Sequence, residues 1–259
     1  KYILQPNWSD NDLVNHLRAG RGVKEVKVQF NQVRTKPDLA GKLSKNLECD
    51  SLSVLNWLTH PDSIARYGFN ENTIISMFIP NTYNMNWNTS VPQLMKRMGK
   101  EFTKFWNADR TKKRKAIGLS QSEVVTLASI VYWETKLPSD MPIVAGVYMN
   151  RIKIGMPLQA DPTLIFAAGD FTIKRVLNKH KTIDSPYNTY KYAGLPPGPI
   201  LIPPAQYVDA VLNYKKHDYY YFVAKEDFSG ASYFSKNLAQ HNVYAARFRK
   251  ALNERGIYK

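Results

Sequence analysis

A chain of 259 residues that is 44% hydrophobic and 22% charged can bury a sizeable core, as one large domain or two unequal ones, which excludes a disordered protein. Thirty-six Lys and Arg against 21 Asp and Glu leave a net charge of +15, which favours an anionic partner without choosing among nucleic acid, acidic lipid and an acidic cell-wall polymer. No run approaches the roughly 18 consecutive apolar residues of a membrane span, and because the chain starts at Lys1 a leader or anchor removed ahead of it stays open.

From the amino terminus, Ser9 is placed to cap a short helix through Arg18, with Gly20 and Gly22 ending it. VKEVKVQF (23–30) has the alternation and β-branched content of a strand. Thr35 followed by Pro37 opens a second helix carrying Leu39, Leu43 and Leu47 on one face, and residues 50–58 continue as a third. Cys49 is the single cysteine, so no disulfide forms within the chain, and it is expected as a small core residue rather than a nucleophile. Residues 66–87 are rich in Asn and aromatics; 74–79 are predicted as a strand that Pro80-Asn81 ends. Helical spacing returns over 91–106 through Leu94, Met98, Phe102 and Phe105. The dense basic run at 110–115 (RTKKRK) is expected as a solvated linker or surface patch between helices. No nucleic-acid motif accompanies it, so a nucleic-acid partner is not expected.

Ser120 and Glu123 form an S-x-x-E capping box ahead of an apolar run. The helix that follows carries Val124, Leu127, Ala128, Val131 and Glu134, and spacings of three and four put a carboxylate on the stripe that faces the core. In the next helix Pro142 suits the first turn, Val144, Val147 and Tyr148 line one side, and Gly155 supplies the end. Asp161-Pro162-Thr163 reads as another cap, with Gly169 as the stop. After a Gly/Pro-rich stretch at 194–204, residues 205–214 read as a helix. YYYFVAK (219–225) and ASYFS (231–235) pair as a hairpin around Ser229-Gly230, and 238–252 close the chain as a basic helix. His16, His60, His180, His217 and His241 show no metal-ligand spacing, so neither a metal nor another cofactor is expected.

A Glu on an apolar stripe either bends out to solvent, pairs with a buried Arg, or is held protonated. The last state suits a general acid acting on a glycosidic oxygen. Tyr132 and Trp133 beside it fit a sugar site. Most glycoside hydrolases need a second carboxylate. A lytic transglycosylase needs one acid, because the C6 hydroxyl of the sugar itself attacks the anomeric carbon, plus polar groups that hold the sugar. Gln159, Asp161, Thr163, Asn188, Thr189 and Tyr190 are candidates for the latter, and Asp161 stays open as a second carboxylate or a helix cap.

Four segments then occur in one order: LASIVYWET (127–135), VAGVYMNRIKIGMPLQADPTL (144–164), YNTYKYAGLPPGPI (187–200) and NLAQHN (237–242). The series resembles the membrane-anchored endolytic murein transglycosylases, the MltG or YceG-like family. The resemblance implies a bacterial enzyme that cuts the MurNAc-GlcNAc β-1,4 bond inside nascent peptidoglycan strands and leaves 1,6-anhydro-MurNAc ends. It assigns the acid to Glu134 and substrate contacts to Asn150 and Arg151, to Gln159, Asp161 and Thr163, and to Asn188, Thr189 and Tyr190. It implies an α+β fold in which a small LysM-like module (1–70) precedes a larger mixed α/β catalytic domain (71–259). It further implies peptidoglycan strands as substrate, a peptidoglycan synthase (a penicillin-binding protein) as partner, and an inner-membrane anchor with the catalytic domain facing the wall.

Three positions depart from that pattern. Tyr132 stands where a second acid is common, ISMFIPNTY (75–83) lacks an acid and a glycine, and Ser232 replaces a His. Asn150 and Arg151 read equally well as braces of the fold, and His241 reads as structural. A muramidase using water with Asp161, and a non-catalytic glycan-binding scaffold, are the alternatives.

Overall fold

The computed structural model describes residues 3–18 and 24–256. The expected helix end at Gly20 and Gly22 and the strand start at Val23 lie outside them. The chain divides into two compact units, Lys1–Phe105 and Trp106–Lys259. Packing therefore groups residues 71–105 with the amino-terminal unit.

The first unit opens with α1 (Asp10–Arg18), where the Asp12 amide donates to Ser9 Oγ at 3.2 Å. Strand β1 (Glu25–Gln29) is followed by α2 (Lys36–Ser44), α3 (Ser51–Thr59), α4 (Pro61–Ala65), a 3₁₀ turn (Ile74–Met77), β2 (Thr82–Asn86) and α5 (Val91–Phe105). β1 and β2 pair antiparallel with Val26 opposite Met85 and Val28 opposite Tyr83. The inward face of that ribbon and the apolar stripes of the helices bury Val28, Phe30, Leu39, Leu43, Val54, Leu58, Tyr83 and Leu94. Thr35 and Asp50 cap α2 and α3 through their side chains.

Three expectations change here. Residues 74–77 are a buried 3₁₀ turn, not a strand. A short, wholly apolar run carries no periodicity to separate the two, and the strand begins only after Pro80-Asn81, where Tyr83 and Met85 alternate inward. Leu47 falls beyond α2, which ends at Ser44. Cys49 is half-buried rather than core.

The second unit contains α6 (Ala108–Ile117), α7 (Gln121–Glu134), α8 (Met141–Lys153), α9 (Asp161–Ala168), a 3₁₀ turn (Asn178–Thr182), α10 (Ala205–Leu212), a hairpin of β3 (Tyr221–Ala224) and β4 (Ser232–Ser235), and α11 (Leu238–Glu254). The basic run is part of α6, not a linker. Asn107 caps that helix, Gly118 ends it in the left-handed region at φ +74°, and Arg110 bonds Asp209 of α10 through Nε at 2.7 Å and Nη2 at 2.9 Å. Its alternating Lys and Arg are good helix formers, which charge counting alone overlooks.

Central to the unit is α7, buried continuously from Val124 to Val131 between α8, α9 and α10. Its start is the expected reciprocal capping box of Ser120 and Glu123, worth about 1 kcal/mol. Mid-helix, Ser129 Oγ accepts from the Ile200 amide at 3.1 Å and ties the Gly/Pro-rich loop down. Gly146 of α8 lies so close to the Lys215 carbonyl and to His217 that a Cβ would overlap both. Thus α8 lies flush against the segment leading into β3, and α11 packs over the hairpin. Among the described residues no helix is long and apolar enough to cross a membrane.

Candidate active site

Glu134 is the last residue of α7, where the helix leaves the core and its side chain turns into a cavity of about 290 Å³ within the second unit. The walls come from α7 (Glu134), α8 (Tyr148, Arg151), the 158–161 turn (Leu158, Gln159, Asp161), the loop before α10 (Tyr190), β3 (Tyr221, Phe222) and α11 (Leu238, His241).

Burial raises the Glu134 carboxyl to about 7; the Asp161 charge adds to this, while the Tyr148 hydroxyl and the Arg151 charge oppose it without prevailing. Tyr148 Oη donates to Glu134 Oε1 at 3.1 Å. Its own pKa is raised, by burial first and then by the Glu134 charge, so it stays a donor. Asp161 lines the same cavity and accepts from Tyr190 Oη at 2.6 Å. That bond corrects the helix-cap reading: the cap position of α9 is Ala160, with no side-chain cap bond, and Asp161 is the first helical residue with its carboxylate turned to Tyr190.

Arg151 is at once wall and brace. Its Nε donates to the Tyr220 carbonyl at 2.7 Å, its Nη1 to the carbonyls of Pro157 at 3.2 Å and Leu158 at 2.7 Å, and the guanidinium lies over the Tyr221 ring. Gln159 lines the cavity with φ at +52°, a left-handed conformation that costs a non-glycine residue about 1 kcal/mol or more. Its amide is held by the Thr189 carbonyl at 3.0 Å.

The remaining sequence candidates stand behind the wall. Thr163 and Thr189 are buried and joined through their hydroxyls at 2.8 Å, and Thr189 Oγ1 also accepts from the Ala160 amide at 3.0 Å. Asn188 is fully buried; its Nδ2 donates to the carbonyls of Lys181 and Ile183, and its Oδ1 accepts from the amides of Tyr190 and Lys191. Asn150 Nδ2 donates to the carbonyls of His217 at 2.7 Å and Tyr219 at 3.0 Å, setting the entry to β3. These four position the lining residues rather than line the cavity. Tyr132 packs edge-on to Tyr207 under Lys136, and neither it nor the exposed Trp133 is part of the lining.

Sequence reasoning did not place Leu158, Tyr221, Phe222 or Leu238 at the site and took Tyr148 for core and His241 for structural. Tyr148 and Leu158 fall within the 144–164 segment and Leu238 and His241 within NLAQHN, each as part of a segment rather than with a role.

An acid of raised pKa, a second carboxylate and one arginine on aromatic walls can hold a neutral polar ligand and pass it a proton. Among the described residues no group of three potential ligands could hold a metal.

The chain matches the YceG-like family over residues 1–247 and belongs to it. It is 36% identical over 199 residues to the endolytic murein transglycosylase of Bacillus subtilis strain 168, covering 75% of this chain and 54% of the relative. It is 30% identical over 280 residues to the protein of the same name from Streptococcus pneumoniae serotype 2 strain D39, covering 93% and 49%. The chain thus spans about half the length of these curated relatives. A crystal structure of a YceG-like protein from Listeria monocytogenes superposes with a TM-score of 0.71 at 28% identity, covering 93% of this chain and 83% of that one.

Proposed function

We propose that this chain is an endolytic peptidoglycan lytic transglycosylase that cuts the MurNAc-GlcNAc β-1,4 bond and leaves 1,6-anhydro-MurNAc ends. The observation that carries the reading is the Glu134 carboxyl, half-buried at a helix end yet desolvated enough by its surroundings to be raised to about 7 inside a polar-and-aromatic cavity. Its proton passes to the glycosidic oxygen as the anomeric C–O bond breaks. The resulting carboxylate takes the proton of the C6 hydroxyl as that oxygen bonds the anomeric carbon, so one residue serves as acid and then base. Tyr148 holds the carboxyl in place. The Asp161 carboxylate, fixed by Tyr190, offsets the positive charge that develops at the anomeric centre.

The names carried by the Bacillus and Streptococcus relatives support the substrate class. The paired antiparallel strands β1 and β2, with α2 and α3 packed together between them and followed by the short α4 and a 3₁₀ turn, support a LysM-like reading of the amino-terminal unit, spanning 25–86 rather than 1–70. An inner-membrane anchor and a synthase partner, implied by the sequence resemblance, belong to the same proposal.

One observation favours a second reading. Asp161 shares the cavity with Glu134, so a water activated by Asp161 would make the enzyme a muramidase. Mass spectrometry of uncrosslinked peptidoglycan after incubation with wild type and with Glu134→Gln separates the two. Anhydro ends made by wild type and absent from the variant support the transglycosylase. Reducing ends support the hydrolase, and equal products from both proteins remove Glu134 as the acid.

A further inference from the structure

The loop that carries Tyr190 builds a second hollow that the mechanism above leaves unused. It holds about 500 Å³ and is lined by Asp184, Ser185, Pro186, Tyr192, Leu195 and Pro197. Tyr192 follows two residues after Tyr190 of the cavity wall, and Asn188 holds both: its Oδ1 accepts from the amides of Tyr190 and Lys191, and its carbonyl from the Tyr192 amide at 3.0 Å. Farther along, the bond from the Ile200 amide to Ser129 Oγ ties the same loop to α7.

The Tyr192 side chain is 43% exposed yet fixed in place. Its Oη donates to Asp184 Oδ1 at 2.6 Å, the same oxygen accepts from Lys191 Nζ at 2.7 Å, and that ammonium lies 5.4 Å from the ring centroid. A ring already pinned, with prolines beside it, spares a ligand the cost of ordering the site. Asp184 and Lys191 cancel in charge, so the hollow offers an aromatic ring and apolar Pro and Leu surface without net charge. Such a surface suits the apolar face of a pyranose and gives an anionic peptide no cation of its own to meet. Size supplies a second argument. The Glu134 cavity, at about 290 Å³, is at the small end of sites that enclose one compact ligand, whereas a strand cut internally continues past the reacting bond on both sides.

We propose that this hollow is an outer sugar subsite, in which the Tyr192 ring packs against a pyranose of the same strand whose scissile bond lies at Glu134. This rests on the glycan reading given above. Asp184 serves the subsite by holding the ring in place, and the loop joins it to the catalytic cavity through Asn188 and Tyr190.

The test uses the 259-residue chain carrying Glu134→Gln, expected to bind strands without cutting them, and reads both its dissociation constant for uncrosslinked peptidoglycan strands and its melting temperature. Adding Tyr192→Ala is expected to weaken binding about tenfold, the order of one lost aromatic contact, with the melting temperature unchanged. Tyr192→Phe keeps the ring, loses only the bond to Asp184, and is expected to stay within about threefold of the parent. Equal affinity with and without Tyr192→Ala overturns the proposal and leaves the glycan reading standing. An equal loss from both substitutions makes the hydroxyl a brace of the loop and overturns it too, as does a loss from Tyr192→Ala that comes with a lowered melting temperature. If the Glu134→Gln protein binds no strands and wild type cuts none, the glycan reading itself fails and the subsite falls with it.

Discussion

At Glu134 the burial that readies the acid also works against the folded state. The carboxyl holds its proton to about pH 7 when folded but releases it near 4.5 once unfolded. A raised folded-state pKa contributes stability that is complete below the unfolded value and is lost as pH rises through the folded one. Between pH 4.5 and about 7 the wild-type protein therefore loses on the order of 3 kcal/mol that a neutral amide would not lose. Glu134→Gln should melt several degrees above wild type at pH 8 and level with it at pH 4, as thermal scans at the two values would show. Equal melting temperatures at pH 8 would mean that the carboxyl is not desolvated. Activity should fall with rising pH through the same titration. Because the Tyr148 hydroxyl favours the ionised form, Tyr148→Phe should move that alkaline limb to higher pH, which a pH–rate profile would detect.

Among the elements, α7 and α8 were legible because their signals are local. Ser120 and Glu123 announce the start of α7, and spacings of three and four expose its buried stripe with Glu134 at the end. Where residues are brought in by packing, no local signal gave their role. Tyr221 reaches the cavity only because β3 packs against α8, and His241 only because α11 packs over the hairpin, and the 74–77 turn looks like a strand until its partner is found elsewhere. Residues read from the sequence for one reason also serve for another. Arg151 and Tyr190 line the cavity, whereas Asn150 and Asn188 hold the backbone behind it.

Two substitutions test that backing. Gly146→Ala would push a methyl into the Lys215 carbonyl and His217, and should cost about 1–3 kcal/mol in a urea melt. Asn188→Ala strips partners from the carbonyls of Lys181 and Ile183 and the amides of Tyr190 and Lys191. It should lower stability by roughly 3 kcal/mol and reduce cleavage at temperatures where the protein is still folded, because Tyr190 no longer fixes Asp161. Full activity in a destabilised Asn188→Ala protein would detach this loop from the chemistry.

For the molecule as a whole, every residue lining the cavity belongs to the unit Trp106–Lys259, which has its own core of α7, α8 and α10. A fragment of residues 106–259 should melt cooperatively and keep Glu134-dependent cleavage, while losing retention on insoluble peptidoglycan if the first unit is the glycan-binding one; a pull-down beside the product assay reads both. Loss of cleavage from a folded fragment would assign the first unit a part in the chemistry. The desolvated Glu134 carboxyl and the unmatched His241 Nδ1 have one more consequence, visible under artificial selection. A randomised library screened only for heat resistance should discard Glu134 and His241, since replacing either relieves a strain in the folded state. The same screen should retain Arg151, whose carbonyl bonds knit three stretches of chain. Survivors of heat and survivors of a cleavage screen would then agree at position 151 and part company at 134, sorting the wall of one cavity into what holds the fold up and what it is held up for.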